Sequence, residues 1–387
     1  HDSKGLSMQT KFRWRIVAAL FALVLTASAC GSDSSSDDTA SGDTSTETSG
    51  TDSGADSDTE VTLAASGGDL LNEVIARDTL NCGVSGSAVA FSELQPDGSM
   101  QGFDADFCRV VAAAIFGDAT KVNFVSLTAA ERFTAVQTGD VDVLMRNTTW
   151  TQSRDSDVGM DFGPTTYYDG QQLLARASDG FNGSSQIVDI DGAVVCTSAG
   201  TTTEKNIADA ASEAGVAITL NTYEDFDMVT NNFIAGACDI ITTDGSALVG
   251  RKAKQQPAGQ EWVIFPATPI SKEPLGPTYG QNDSAFADVV NWAVYATVIA
   301  DEKGVTAANA SEMKLMGDTE TIRLLGGEGE YQTAMGLSAD AFYQVITQVG
   351  NYDEIYTRNL GPVGLSRVGS SNASWTNGGL VYAPPAR

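Results

Sequence analysis

The sequence predicts an α/β protein made of two doubly wound lobes. Three observations carry that reading. The chain has 387 residues, room for two or three ordinary domains. From residue 80 onward, short apolar runs alternate with helical stretches. That alternation runs twice, which argues for two lobes rather than one barrel.

In the first run, Leu80–Val84 reads as a strand and Phe103–Phe116 as a helix, with Asp104 as candidate N-cap and Gly117-Asp118 beyond its end. Lys121–Val125 is a strand, Ala129–Gln137 a helix closed by Gly139, and Val141–Met145 a strand. In the second run, Gln171–Arg176, Ala193–Cys196, Ile218–Leu220, Cys238–Thr242 and Trp262–Phe265 read as strands. Thr203–Ala214 and Asp225–Ala235 are the helices between them. Phe286–Asp301 is a helix, and the stretch from Ser311 is mostly helical with Gly-rich breaks. Such βαβ units imply parallel sheets covered by helices on both faces.

Composition narrows the function. Hydrophobic residues make up 42% and charged residues 19%, so most of the chain can bury a core. The formal net charge of −28 disfavours nucleic acid, whose binding relies on Lys and Arg neutralising phosphates. The one histidine is His1, which removes Ser-His-Asp and Cys-His machinery and any zinc site built on imidazole. Neither G-x-x-x-x-G-K-[ST] nor G-x-G-x-x-G occurs, so nucleotide phosphates find no cradle and no cofactor or metal is expected. A soluble binder remains, or an enzyme that uses carboxylates, Arg, Lys or hydroxyls.

The first 60 residues read as an export signal and a leash. Met8 reads as the start, and Lys11, Arg13 and Arg15 precede the 14-residue apolar run Ile16–Ala29. That run has signal-peptide length and is too short to span a bilayer. Small residues then lead directly to Cys30, which resembles a bacterial lipobox in which this cysteine is lipidated. An ordinary signal peptide with an incidental cysteine is the alternative. Residues 31–60 are almost all Gly, Ser, Thr, Ala, Asp and Glu, with nine acidic residues and no basic one. Such a stretch cannot bury enough apolar surface to order itself, and its like charges extend it. Residues 8–29 therefore read as a lipoprotein signal peptide and 30–66 as a lipidated, disordered tether, with attachment to the membrane through the lipid only. The acidic remainder reads as a solubility adaptation.

Four cysteines remain: Cys82, Cys108, Cys196 and Cys238. None forms C-x-x-C, and an even set in an exported protein reads as disulfides. Of three connectivities, Cys82–Cys108 with Cys196–Cys238 keeps each bridge inside one lobe. Loops of this size contribute about 3–4 kcal/mol each in the chain-entropy model. Four buried free thiols are the alternative.

Three strand ends carry polar clusters. Arg146 to Arg154 follows the first, Gly200 to Glu204 follows the second and opens a helix, and Thr243-Asp244 follows the third. Open sheets bind ligands at the carboxyl ends of their strands, where helix N-termini point. A cation, a hydroxyl-rich helix start and an anion converge there, which is what a zwitterion needs. Taken singly, Arg154 is as easily a surface ion-pair partner, Thr202 and Thr203 a helix cap, Asp244 a turn residue and Trp150 packing. Their joint placement is what points to a site.

At these clusters the chain resembles the extracytoplasmic amino-acid-binding proteins of ABC importers, and more closely their general L-amino-acid-binding branch. The resemblance rests on Gly102 to Arg109, Arg146 to Arg154, Gly200 to Glu204, Cys238 to Asp244, Ile270 to Pro277, Gln348 to Tyr352 and Trp375 to Pro384, and covers roughly residues 78–387. It implies a type II periplasmic-binding-protein fold. Two hinge strands near Thr166–Arg176 and Thr268–Tyr279 would join lobe one (78–170 plus 276–387) to lobe two (175–268). It further implies that Arg154 grips the ligand carboxylate with help from the N–H of Thr202 in the Thr201–Thr203 turn. Thr149 would touch the ligand backbone, the Asn147 carbonyl would face the ammonium, and Asp244 would pair with it.

The sequence departs from basic-amino-acid binders at the side-chain pocket, where Ala88 and Ala129 stand in place of two sandwiching aromatics; Phe91 and Tyr168 are candidate apolar walls. The partners implied are an L-amino acid and the permease subunits of the importer. A monomer held at the outer face of the cytoplasmic membrane or in the periplasm is expected, with no enzymatic activity. The main rival is a dehydratase-like enzyme acting on small cyclic carboxylic acids, which would need a cleft carboxylic acid with a raised pKa. A sensor or adhesion module is the other.

Overall fold

The apolar residues of the central strands alternate between two faces, and both faces are covered. On strand Gln171–Arg176, Leu173 and Ala175 join one apolar cluster with Val195, Ile240 and Phe265, while Leu174 joins another with Cys196, Ile241 and Trp262. A strand that is apolar on both faces sits in the middle of a layered α/β unit. This computed structural model describes residues 69–327 and 331–387. The expected start at Met8, signal segment 8–29, lipidation at Cys30 and tether 30–66 lie outside the described residues.

Two five-stranded sheets form the framework of the described residues. The first runs in the order β5 (Val122–Ser126), β1 (Leu80–Val84), β6 (Val143–Leu144), β15 (Thr278–Gly280), β7 (Met160–Phe162). The second runs β11 (Thr219–Tyr223), β10 (Val194–Ser198), β12 (Ile240–Asp244), β9 (Gln171–Arg176), β13 (Trp262–Phe265). A small meander of β2 (Ser87–Ala88), β3 (Ser92–Leu94) and β4 (Met100–Gln101) follows β1. In each large sheet the chain first winds to one side of a strand and then to the other, so β1/β6 and β10/β12 flank switch points whose carboxyl ends are natural ligand sites.

The sheets are mixed, which corrects the expectation of parallel ones. β15 lies antiparallel to β6 and β7, and β9 antiparallel to β12 and β13. β9 and β15 arrive from the other sheet rather than through a helical crossover, so no βαβ rule fixes their direction. The chain leaves the first sheet through β8 (Tyr167–Asp169) and returns through β14 (Glu273–Leu275). These two strands pair antiparallel, with Glu273 opposite Asp169.

The helix Phe103–Phe116 is buried on nearly every side and packs under the first sheet with Ser284–Glu302, Ala341–Gln348 and Tyr352–Leu360. Its N-cap is Gly102, not Asp104. Gly102 has φ 130°, and a Cβ there would lie 2.3 Å from the Phe91 carbonyl oxygen, so only glycine fits. Asp104 stands in the first turn, where its carboxylate accepts the backbone N–H of Asn147 instead of capping its own helix.

Several further elements start later than the pattern suggests, two of them for reasons visible in their hydrogen bonds. Thr128 and Glu131 close a side-chain turn that delays the helix to Arg132–Gln137. After the helix Phe226–Ile234, Gly236 turns the chain and Asp239 accepts the Val194 N–H, so the strand begins at Ile240 rather than Cys238. Disulfides join Cys82 to Cys108 and Cys196 to Cys238, closing loops of 26 and 42 residues. No described helix is long and apolar enough to cross a membrane.

Candidate functional site

The segment after β6 builds one wall of a cleft. Asn147 adopts φ 40°, a left-handed conformation that Asn tolerates, and its N–H donates to Asp104 Oδ2 at 3.0 Å. Burial pushes the Asp104 carboxyl up to about 7, against the opposing pull of that hydrogen bond and of Arg146. Arg146 Nε donates to the Leu127 carbonyl at 2.8 Å, and burial lowers this guanidinium to about 10. Thr149 donates to Glu273 Oε2 at 2.6 Å, and its carbonyl accepts Arg154 Nη1 at 2.9 Å. Thr151 caps the short helix Gln152–Ser156, which swings Arg154 back over the Phe133 ring, 5.2 Å from its centroid. Arg154 Nε and Nη2 donate to no described residue.

The ends of β10 and β12 build the facing wall. Thr201 caps the 13-residue helix Thr202–Ala214 by accepting the Glu204 N–H, and its hydroxyl donates to the Ser198 carbonyl at 2.8 Å. Thr202 Oγ1 lies 3.4 Å from Thr149 Oγ1 across the cleft and donates to Glu273 Oε2 at 2.9 Å. Asp244 ends β12 and is buried, yet its carboxylate accepts no hydrogen bond from a described residue. Burial, then the like charges of Asp169 and Glu273, push this carboxyl well above 3.8, while Arg132 and Arg154 pull it down.

Between the walls lies a cleft of about 290 Å³. Five of the six predicted ligand-binding residues line it: Asn147, Thr149, Thr201, Thr202 and Asp244. Arg154 is not among the lining residues. Its Nη1 meets the carbonyl of the cleft residue Thr149, and it is close enough that the charges of Glu273 and Asp244 act on it. Ala88 and Ala129 both line the cleft. Phe91 and Tyr168 do not: Phe91 packs edge-on against Phe103 and Tyr167 in the core, and Tyr168 leans on that same cluster. Trp150 stacks on Phe162 away from the cleft.

Three participants escape the sequence reading. Arg132 lines the cleft, is buried, and donates no hydrogen bond to a described residue; its Nε is wholly enclosed without a partner. In sequence it is a charged residue at a helix start beside Glu131, a pattern that ordinarily faces water. Glu273 on β14 is met by four donors: Thr149 and Thr202 on Oε2, Ser271 at 2.6 Å and Asn206 at 2.8 Å on Oε1. It thereby ties the two walls at their base. Arg251, on the helix Gly245–Gln255, ties them on the other side by donating to the Ser87 carbonyl at 2.8 Å, and Lys254 beside it pairs with Glu93 of β3. Among the described residues no acidic or cysteine cluster could hold a metal.

The model of the bacterial extracellular solute-binding proteins, family 3, matches residues 80–362. The general L-amino acid-binding periplasmic protein AapJ of Rhizobium johnstonii is 42% identical over 333 residues, 84% of this chain and 95% of that one. The glutamate/glutamine/aspartate/asparagine-binding protein BztA of Rhodobacter capsulatus is 42% identical over 327 residues, again 84% of this chain and 95% of its own. Among solved structures, an ABC transporter periplasmic binding protein from Brucella ovis with glutathione bound matches with TM-score 0.78 at 43% identity, over 83% of this chain and all of that one. The ancestral amino acid-binding protein AncCDT-1, a precursor of cyclohexadienyl dehydratase, shares the fold alone at 24% identity and TM-score 0.51, over 61% of this chain and 94% of its own.

Proposed function

From the premise that the chain belongs to family 3 of the bacterial extracellular solute-binding proteins, we propose that it captures free L-amino acids by closing two lobes around them and hands them to the permease of an ABC importer. Residues 78–170 with 276–387 act as one lobe and 175–268 as the other, hinged at β8 and β14. The observation that carries the reading is the Asp244 carboxylate, buried in the cleft without a hydrogen-bond donor and facing arginines across it. A buried ion without a partner is costly, and an ammonium group relieves that cost. In this reading Arg154 uses its unengaged Nε and Nη2 for the α-carboxylate, together with the free N–H groups that open the helix at Thr202. Thr149 and the Asn147 carbonyl complete the grip.

A ligand held by both walls stabilises the closed state over the open one, and the closed form is what the permease recognises. Lipidation at Cys30 and the acidic tether hold a monomer near the outer face of the cytoplasmic membrane within reach of that permease. The relatives matched are binding proteins, and this chain acts as one rather than as an enzyme. Asp244 also gives the rival reading its one foothold, since a cleft carboxylic acid with a raised pKa is what a dehydratase uses. Calorimetry on the full chain separates the two. Asp244→Asn is expected to weaken every amino acid by about thirtyfold or more while leaving des-amino analogues within a few-fold. Equal loss for both overturns the ammonium role, and turnover of a prephenate-like acid establishes the rival.

A further inference from the structure

Two strands carry the chain between the sheets, and each is held along its outer edge by a different part of the first lobe. β14 is held by the segment after β6. The Trp150 N–H donates to the Pro274 carbonyl at 2.9 Å, the Gly276 N–H donates to the Thr148 carbonyl at 3.3 Å, and Thr149 bridges to Leu275. Among the described residues no strand lies beside the other edge of β8, and the Asn372 side chain takes that place. Its Oδ1 accepts the Tyr168 N–H at 2.7 Å and its Nδ2 donates to the Tyr168 carbonyl at 3.0 Å, the pair of bonds a neighbouring strand would make. Asn372 is buried, and its own carbonyl accepts Arg367 Nε at 3.0 Å. Arg367 lies over the Tyr352 ring and pairs with Asp301 at 2.6 Å and Asp353 at 2.9 Å, which fixes it to the helices Ser284–Glu302 and Tyr352–Leu360. The Tyr352 hydroxyl in turn donates to the Thr166 carbonyl at 2.7 Å.

A few residues further on, the same strands are tied to the second lobe. The Gly245 N–H donates to the Gly170 carbonyl and the Ile270 N–H to the Gln171 carbonyl, both at 2.9 Å. The Gln171 N–H donates to Ser271 Oγ at 3.1 Å. Gly170 is packed so closely that a Cβ there would lie 2.5 Å from Pro269 and 2.7 Å from the Ser271 carbonyl oxygen. Between the two sets of ties lie Asp169 on the outward strand and Lys272 with Glu273 on the returning one, and Asp169 pairs with Glu273. We propose that Asn372 is a positioning residue for closure: it locks β8 to the first lobe at Tyr168, so that the lobes pivot at Asp169 and Lys272–Glu273 alone. This rests on the two-lobe closure read above and narrows its hinge stretches to a point. Glu273, whose side chain meets donors from both walls, then sits where a pivoting body moves least. A short pivot leaves the open form few orientations, so closing on a guest costs little conformational entropy.

The test is calorimetry on the full chain with L-glutamate, L-glutamine and L-alanine, joined to residue-resolved hydrogen exchange with and without the tightest binder of the three. In the wild type the Tyr168 amide is expected to exchange slowly and equally, within about twofold, in both states, while the Gly170 and Glu273 amides slow by about tenfold or more on binding. Asn372→Ala is expected to speed exchange at Tyr168 by about a hundredfold and to make it depend on ligand. The same variant should weaken every amino acid that binds by one common factor, about fivefold, and leave exchange in the helices Ser284–Glu302 and Tyr352–Leu360 unchanged. Asn372→Asp keeps an acceptor for the Tyr168 N–H and should fall between. A merely structural role would raise exchange in those two helices and leave Tyr168 independent of ligand, which overturns the lock. Ligand dependence at Tyr168 in the wild type as large as at Gly170 means a hinge spread along β8, and it overturns the lock with no variant needed. Both of these results leave amino-acid capture standing. Failure of all three amino acids to bind overturns that parent reading and the pivot with it.

Discussion

The two walls of the cleft are built on different principles. The wall after β6 presents long charged side chains whose hydrogen bonding is incomplete: Arg132 lies over the Phe133 ring and donates to no described residue, and Arg154 and Arg146 each commit one nitrogen to a carbonyl. The wall at the ends of β10 and β12 presents mostly short hydroxyls and main chain that are already hydrogen-bonded, with the Asp244 carboxylate left unmet. The Gln171 amide donates to the Thr203 carbonyl and to Thr242 Oγ1, both at 2.9 Å, and Thr197 donates to the Thr242 carbonyl at 2.8 Å. One wall supplies field, the other geometry. A ligand gains charge compensation from the first without forcing the second to rearrange, which is the economy of a preorganised site.

The contrast can be broken hardest from the charged side. Arg154→Ala is expected to weaken every amino acid by about a hundredfold or more, since it removes the α-carboxylate partner and leaves the Thr149 carbonyl without its donor. Retained affinity for any amino acid would move that role to another arginine. A smaller effect is expected at the joint between the walls. Glu273→Gln sets an amide NH₂ against two of four donors, and should weaken all amino acids alike by about tenfold, mostly through faster release. A selective loss would mean that Glu273 reads the ligand instead of joining the walls.

The smallest effect concerns the scaffold under the charged wall. Asp104 takes up a proton near pH 7 when folded and near its ordinary 3.8 when unfolded. Between those values the folded state binds more protons, so stability is full below 3.8, falls as pH rises through the window and levels above about 7. Urea unfolding from pH 4 to 8 should show a slope of at most about 1.4 kcal/mol per pH unit from this group, and Asp104→Asn should flatten it. An unchanged slope would place the titration elsewhere.

Most of the framework was legible because its signals are local. Leu173–Ala175 and Trp262–Phe265 are unbroken apolar runs, and Phe103–Phe116 ends at a glycine, so these elements follow from neighbours in sequence. Strand direction was not legible, because β9 and β15 take theirs from a crossing between sheets that no local pattern encodes. At the site, Asn147, Thr149, Thr202 and Asp244 could be read from their place just past strand ends. Arg132 could not. Its burial comes from the turn that Thr128 and Glu131 make ahead of it and from the closeness of a second wall about 65 to 110 residues away in sequence. Glu273 was hidden for a related reason: its four donors come from residues 149, 202, 206 and 271.

The contacts of Arg251 with the Ser87 carbonyl and of Lys254 with Glu93 bridge the mouth of the cleft at the far side from β14. They form a clasp at the rim, separate from the groups assigned to grip the guest. How long a guest stays can therefore drift in evolution, or be engineered, while the choice of guest is left alone. The Lys254–Glu93 half of the clasp lies open to solvent, so it slackens in brine and tightens in fresh water.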